Sequence, residues 1–226
     1  MLSATALYLF LLGLACGTVI LAVSSYRFVS PAWLKWLLII SALLMIGRYI
    51  TLALFLNPNA PNRFWMLRHL YFAHSIGLTF PSVVAVDQIL RHPAMTPAKL
   101  MRWYSPFMVV YLTVMLFGRM GLQPDTLYGW APHLEGAWRL LISITDAIFL
   151  IGFLVICFVL VRKIQLKPMR RALLCLSIGQ LYLAIGLSLL VSNRAHFGPF
   201  LFSEIAMLLV LWYAYDTSAI LQRTGS

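Results

Sequence analysis

The chain has 226 residues, of which 62% are apolar and 10% charged, and its 17 Lys and Arg outnumber 6 Asp and Glu to give a net charge of +11. Soluble domains average about 45–50% apolar and about 25% charged residues, so a cytosolic globular domain is excluded. A disordered chain and a disulfide-stapled secreted fold are excluded too, for want of charge and of cysteines. What remains is a polytopic membrane protein.

A spanning helix needs about 20 predominantly apolar residues. On that criterion the chain predicts an all-α integral membrane protein, a single seven-helix transmembrane domain over residues 1–226. The predicted spans are 2–23, 32–56, 64–90, 101–119, 138–161, 170–192 and 198–217. The first run, Leu2 to Val23, has no basic n-region and no small-residue cleavage site, so it reads as a retained helix. Breakers separate the spans: Ser30-Pro31, the Pro/Asn-rich stretch 57–62, His92-Pro93, Gln123-Pro124-Asp125, Lys167-Pro168 and Gly198-Pro199. The longest connector, 120–137, is read as a connection that could form a partly ordered lid. Tryptophans 33, 36, 65, 103, 130, 138 and 212 all fall near predicted span ends, the aromatic belt of a bilayer protein. Cys16, Cys157 and Cys175 lie inside apolar runs and read as packed free thiols, with no metal-binding spacing.

Loop charge sets the direction. Arg27, Lys35, Arg91, Lys99, Arg102, Arg162, Lys163, Lys167, Arg170, Arg171 and Arg223 belong to the odd loops and the C-terminal tail. The even loops carry Arg63, Arg68, Arg119, Arg139 and Arg194. The positive-inside rule then places the N-terminus outside and the C-terminus in the cytoplasm, in a membrane expected to be the bacterial cytoplasmic one. The basic residues are orientation signals in this reading, so no nucleic-acid partner is expected. The basic turn 162–171 could also touch anionic headgroups.

Ionisable groups inside hydrocarbon are costly unless paired or hydrated, and each is a functional candidate. Arg48, Arg68, His69, His74, Asp146 and Glu204 share the predicted outer half, whereas Asp87 and Asp216 lie at the inner edge and Gln180 near a span centre. At about 100° per residue, Arg68, Ser75, Thr79 and Ser82 fall within about 40° of one line, a polar stripe containing Pro81. Ser41 and Arg48 share a face of the second span in the same way. These six outer residues predict an outward-facing polar pocket for a small ligand. The structural alternative is that Arg48 pairs with Glu204 or Asp146 only to neutralise buried charge. No cofactor is required. A bis-histidine haem site would need partners on another helix, because His69 and His74 are five apart and about 140° around the helix. No G-x-S-x-G, H-E-x-x-H, P-loop or G-x-G-x-x-G is present.

The run Phe64-Trp65-Met66-Leu67-Arg68-His69-Leu70-Tyr71 opens the third span, with Pro81 further along it. A Trp-bearing outer loop, the basic turn Arg162 to Arg171, a sixth span ending in Ser192-Asn193 and a final apolar helix follow. This layout resembles the seven-helix N-terminal sensor region found on some bacterial histidine kinases and related signalling proteins. The resemblance implies a receptor or sensor. In that family a cytoplasmic kinase or cyclase normally follows the seventh helix. Here the chain ends at Ser226, so output is expected to pass through a cytoplasmic or membrane partner. Two other classes stay open: a small-solute transporter or channel subunit, and an intramembrane enzyme built on His69 or His74.

Overall fold

The computed structural model describes residues 4–57, 65–90, 96–125, 129–191 and 197–224. Arg63, Arg91, His92, Arg194 and His196 lie outside the described residues, as does the side chain of Arg68. Among the described residues seven α-helices carry the architecture. They are α1 (Ala4–Ser25), α2 (Ala32–Leu54), α3 (His74–Leu90), α4 (Pro97–Phe117), α5 (Ala137–Lys163), α6 (Lys167–Val191) and α7 (Phe197–Thr224). A 3-10 segment, Trp65–Phe72, leads into α3. Stretches on α1 to α5 are each long and apolar enough to cross a membrane. The helices α6 and α7, at 25 and 28 residues, match or exceed the length of a span. The chain is a multi-pass membrane protein.

Helical spacing decides what is buried. On α2 the inward residues are Leu34, Leu38, Ser41, Met45, Arg48 and Leu52, one stripe at intervals of three and four. On α5 they are Ile142, Thr145, Phe149, Phe153 and Cys157, while Ile148, Ile151, Val155 and Phe158 point out. An outward apolar face suits lipid, which costs nothing to contact. Helix α3 differs, being buried on nearly every side and packed against α2, α4, α5, α6 and α7. The other helices follow one another around it, with α7 packing on α1 and the 3-10 segment bridging α2 and α4. Gly77 permits a close approach of α3 to α2, since a Cβ there would collide with the Met45 side chain and sit 3.3 Å from the Ser41 carbonyl oxygen.

Three features depart from the sequence expectation. The connector 120–137 is a β-hairpin, β1 (Met120–Asp125) pairing antiparallel with β2 (Gly129–Leu134). It buries Met120 and Leu134 against Ile76, Tyr111, Val114 and Ile142, and the Trp130 amide donates to the Phe55 carbonyl at the end of α2 (3.0 Å). A fold read as all-α therefore has one two-stranded element over an end of the bundle. The third span is not one α-helix, because the 3-10 segment winds three residues per turn and shifts every residue before Ala73 out of the α-helical register. Arg68 thus has no α-helical relation to Ser75, Thr79 and Ser82. Helix α7 continues to Thr224, which leaves Trp212 well inside it and not at its end.

Candidate functional site

The deepest polar feature is an ion pair. Arg48 on α2 donates from Nε to Oε1 of Glu204 on α7 at 3.0 Å, and both side chains are 0% exposed. Ionised groups at this depth demand each other, because hydrocarbon offers no other source of compensation. The guanidinium carbon of Arg48 also lies 4.7 Å above the Tyr71 ring, a cation–π contact made under full desolvation. The Tyr49 hydroxyl faces the Glu204 carboxyl. His74 completes the group: it is buried next to Arg48, and its Nδ1–H donates to the Tyr71 carbonyl at 3.3 Å. Four elements therefore meet at one charged joint: α2, the 3-10 segment, α3 and α7.

Below the joint, α3 carries a ladder of hydroxyls. Thr79 bonds the Ser75 carbonyl and shares a 2.6 Å hydrogen bond with the Tyr104 hydroxyl of α4. Pro81 lacks the amide that would close the helical bond to residue 77. At this point Ser82 donates to the Leu78 carbonyl (2.6 Å) and accepts from Nε2 of Gln180 on α6 (2.6 Å). Tyr215 of α7 donates to the Pro81 carbonyl at 2.8 Å. A proline-disrupted stretch of α3 is thus held by side chains from two neighbouring helices, as proline inside a membrane helix requires. At the far end of α3, Gln88 donates to the Ser30 carbonyl (3.1 Å) and contacts Asp87.

Of the six residues singled out from sequence, the five whose side chains are described, all but Arg68, are not one constellation. Arg48, His74 and Glu204 come together. His69 sits on the 3-10 segment and donates from Nδ1 to the Met115 carbonyl of α4 at 2.6 Å, outside the ion pair. Asp146 is not the partner of Arg48. It belongs to a second group on α5, where it faces the buried Tyr111 hydroxyl of α4, with Tyr104 nearby. The expected outward opening is also absent at Arg48 and Glu204, which solvent does not reach. Among the described residues no three His, Cys, Asp or Glu side chains gather as metal ligands. The Nδ1 of His69 and that of His74 are each engaged by a backbone carbonyl.

Sequence reading missed the tyrosines. Tyr49, Tyr71, Tyr104, Tyr111 and Tyr215 are all buried, and each sits beside a charged or polar partner. A signal existed, because tyrosine favours span ends, where its hydroxyl is wet. One placed in mid-span needs a partner inside the bundle. Comparison with protein-family models and with curated protein sequences finds no match.

Proposed function

We propose that the chain is a seven-span membrane receptor or sensor module, with its N-terminus outside and its C-terminus in the cytoplasm, that responds to a small ligand and signals through a partner protein. The observation that carries this reading is the Arg48–Glu204 joint, where three helices and the 3-10 segment meet at one desolvated ion pair. A sealed pair of this kind is a two-state element: formed, it locks α2 against α7, and a ligand that competes for either partner releases them. The hairpin bonded to the end of α2 gives the joint a link to the side taken here as external. The resemblance to bacterial sensor regions points the same way.

A specific observation favours a second reading. The joint, Ser75, Thr79, Ser82 with Gln180, and Asp87 with Gln88 form a succession of polar groups along α3. In a small-solute transporter or channel subunit that ladder would line the path. Reconstituted proteoliposomes separate the two. The receptor reading expects no flux of entrapped protons, amino acids or sugars above that of empty vesicles. Flux carried by the purified chain, and abolished by Gln180→Leu, would replace the receptor reading with the transporter.

Orientation has its own test. In a chain whose native cysteines are replaced by alanine, a cysteine at Tyr128 labels with an impermeant thiol reagent added outside intact cells. A cysteine at Lys167 labels only after the cells are opened. The reverse pattern inverts the topology.

A further inference from the structure

The basic turn between α5 and α6 does not stand alone. An apolar groove runs between these helices, lined by Leu154, Val155, Phe158 and Val161 of α5 and Leu174 and Ser177 of α6, with a cavity volume of about 390 Å³. Val161 is two residues from the end of α5 and Leu154 seven residues deeper, so the groove descends about 10 Å into the bilayer at 1.5 Å per residue. Arg162, Lys163, Lys167, Arg170 and Arg171 stand exposed around its mouth. No Asp or Glu occurs between Asp146 and Glu204, so α5 from residue 147 onward, the turn and all of α6 offer these five cations no carboxylate.

Two details join the charge to the groove. The Arg162 guanidinium carbon lies 4.2 Å over the ring of Phe158, itself a groove wall, so one cation is held directly above the apolar floor. Helix α6 begins at Lys167, and its first amides and dipole present further positive potential at the mouth.

We propose that the groove and the turn together form a binding site for an anionic phospholipid, with an acyl chain along the groove and the phosphate headgroup on the basic turn. Any lipid can fill an apolar groove open to the bilayer. Selection comes from the headgroup, because a zwitterionic lipid brings its own cation to a surface that already holds five. The site serves a receptor and a transporter equally and does not depend on which the chain proves to be.

Native mass spectrometry of the purified full-length chain tests it, with phosphatidylglycerol and phosphatidylcholine of the same long acyl chains offered in equal amounts. The unaltered protein retains phosphatidylglycerol preferentially. The triple variant R162Q/R170Q/R171Q loses that preference, by roughly fivefold for each cation removed. The matching triple lysine variant keeps the charge and keeps the preference, which separates selection from folding. Val155→Trp, at an exposed groove position, weakens retention of long-chain phosphatidylglycerol but not of its six-carbon-chain analogue. Equal retention of the two headgroups by the unaltered protein overturns the proposal. So does a preference that survives the glutamine variant, or a groove occupied by a second copy of the chain, seen as a dimer that Val155→Trp dissociates.

Discussion

The stretch His69–Leu90, which contains α3 and the end of the 3-10 segment, and helix α5 are both long and apolar enough to cross a membrane, but the apolar window of the first is 83% buried inside the protein against 22% for that of α5. The more apolar of the two is the one on the outside. In water the order would be reversed, because burial would follow hydrophobicity. In a bilayer the lipid is as apolar as leucine, so apolar character places a helix in the membrane without placing it in the bundle. What draws α3 to the centre is its polar content. Ser75, Thr79, Ser82 and His74 cannot face hydrocarbon; neighbouring helices bond Thr79 and Ser82, and the Tyr71 carbonyl of the 3-10 segment bonds His74. Substitutions along the α3 interface should therefore be costly, and equivalent changes on the outer face of α5 cheap.

The largest effect belongs to the ion pair beside α3. Removing one member of a buried pair typically costs about 3–5 kcal/mol, because the other is left charged and uncompensated. The two members are not equivalent, since a carboxylate can take up a proton and arginine cannot lose one. Glu204→Gln is therefore expected at the upper end of that range and Arg48→Gln below it. The double replacement should recover much of the loss. Asp146→Asn, away from the pair, should be far milder than Glu204→Gln. Thermal unfolding in nanodiscs ranks the four variants, and a Glu204→Gln protein as stable as the parent would show that the pair is hydrated and not sealed.

Glycines give the next contrast. A Cβ at Gly77 of α3 collides with the Met45 side chain, whereas one at Gly152 of α5 meets nothing within 4 Å. Gly77→Ala must push α2 away or force Met45 from its rotamer, a cost of about 1–3 kcal/mol. Gly152→Ala should be neutral or stabilise by up to about 1 kcal/mol, the helix-propensity gain. Equal shifts in unfolding temperature for the two variants would erase the distinction between the helices.

The difference between these helices also marks what the sequence could disclose. Spans are legible because a run of about 20 apolar residues has almost no other use, and Arg48 is legible because its cost in hydrocarbon is high. The partner of Arg48 is not. Depth along a span leaves Glu204 and Asp146 equivalent, and only the fold, which brings the Arg48 side chain of α2 to α7 across 156 residues of sequence, chooses Glu204. The stripe Ser75, Thr79 and Ser82 is visible in the helical period and is buried, but so is nearly all of α3, which the period does not disclose. Arg68 fell out of it because a 3-10 segment has no distinctive residue pattern, so the α-helical period was carried too far upstream. The hairpin was hidden by its own prolines. Pro124 reads as a breaker, and Pro132 sits in the second strand, yet a two-stranded ribbon is all edge, where a missing amide is tolerated.

The third contrast concerns Gln180, whose amide is bonded to Ser82 at the proline-disrupted stretch of α3. Hydrogen bonds between membrane helices average about 0.6 kcal/mol and reach about 1.7. This one should lie toward the upper end, because Ser82 also supports the Leu78 carbonyl and the bond joins α3 to α6. Gln180→Leu removes it while keeping an apolar side chain of similar length. Disulfide trapping between cysteines placed on the two helices would reveal any loosening, and an unchanged trapping rate would rule out a joining role.

The smallest expected effect tests the premise most directly. Tyr104→Phe deletes the hydroxyl that α4 shares with Thr79 but leaves the ring among Phe80, Phe107 and Phe149. Thr79 keeps its bond to the Ser75 carbonyl, so no group on α3 is orphaned and the loss should be about 0.6 kcal/mol. Ile151→Ala on α5 removes far more atoms, yet the residue is exposed on the outer face, where lipid replaces the lost contacts. It should shift stability by less than about 0.5 kcal/mol. In a soluble protein the buried hydroxyl would be the lesser change and a core isoleucine much the greater. Here the single oxygen should outweigh three carbons, because only the oxygen lacks a substitute in hydrocarbon. Chemical unfolding of both variants in the same mixed micelles decides it, and an Ile151→Ala loss larger than that of Tyr104→Phe would mean that this face of α5 is packed against protein.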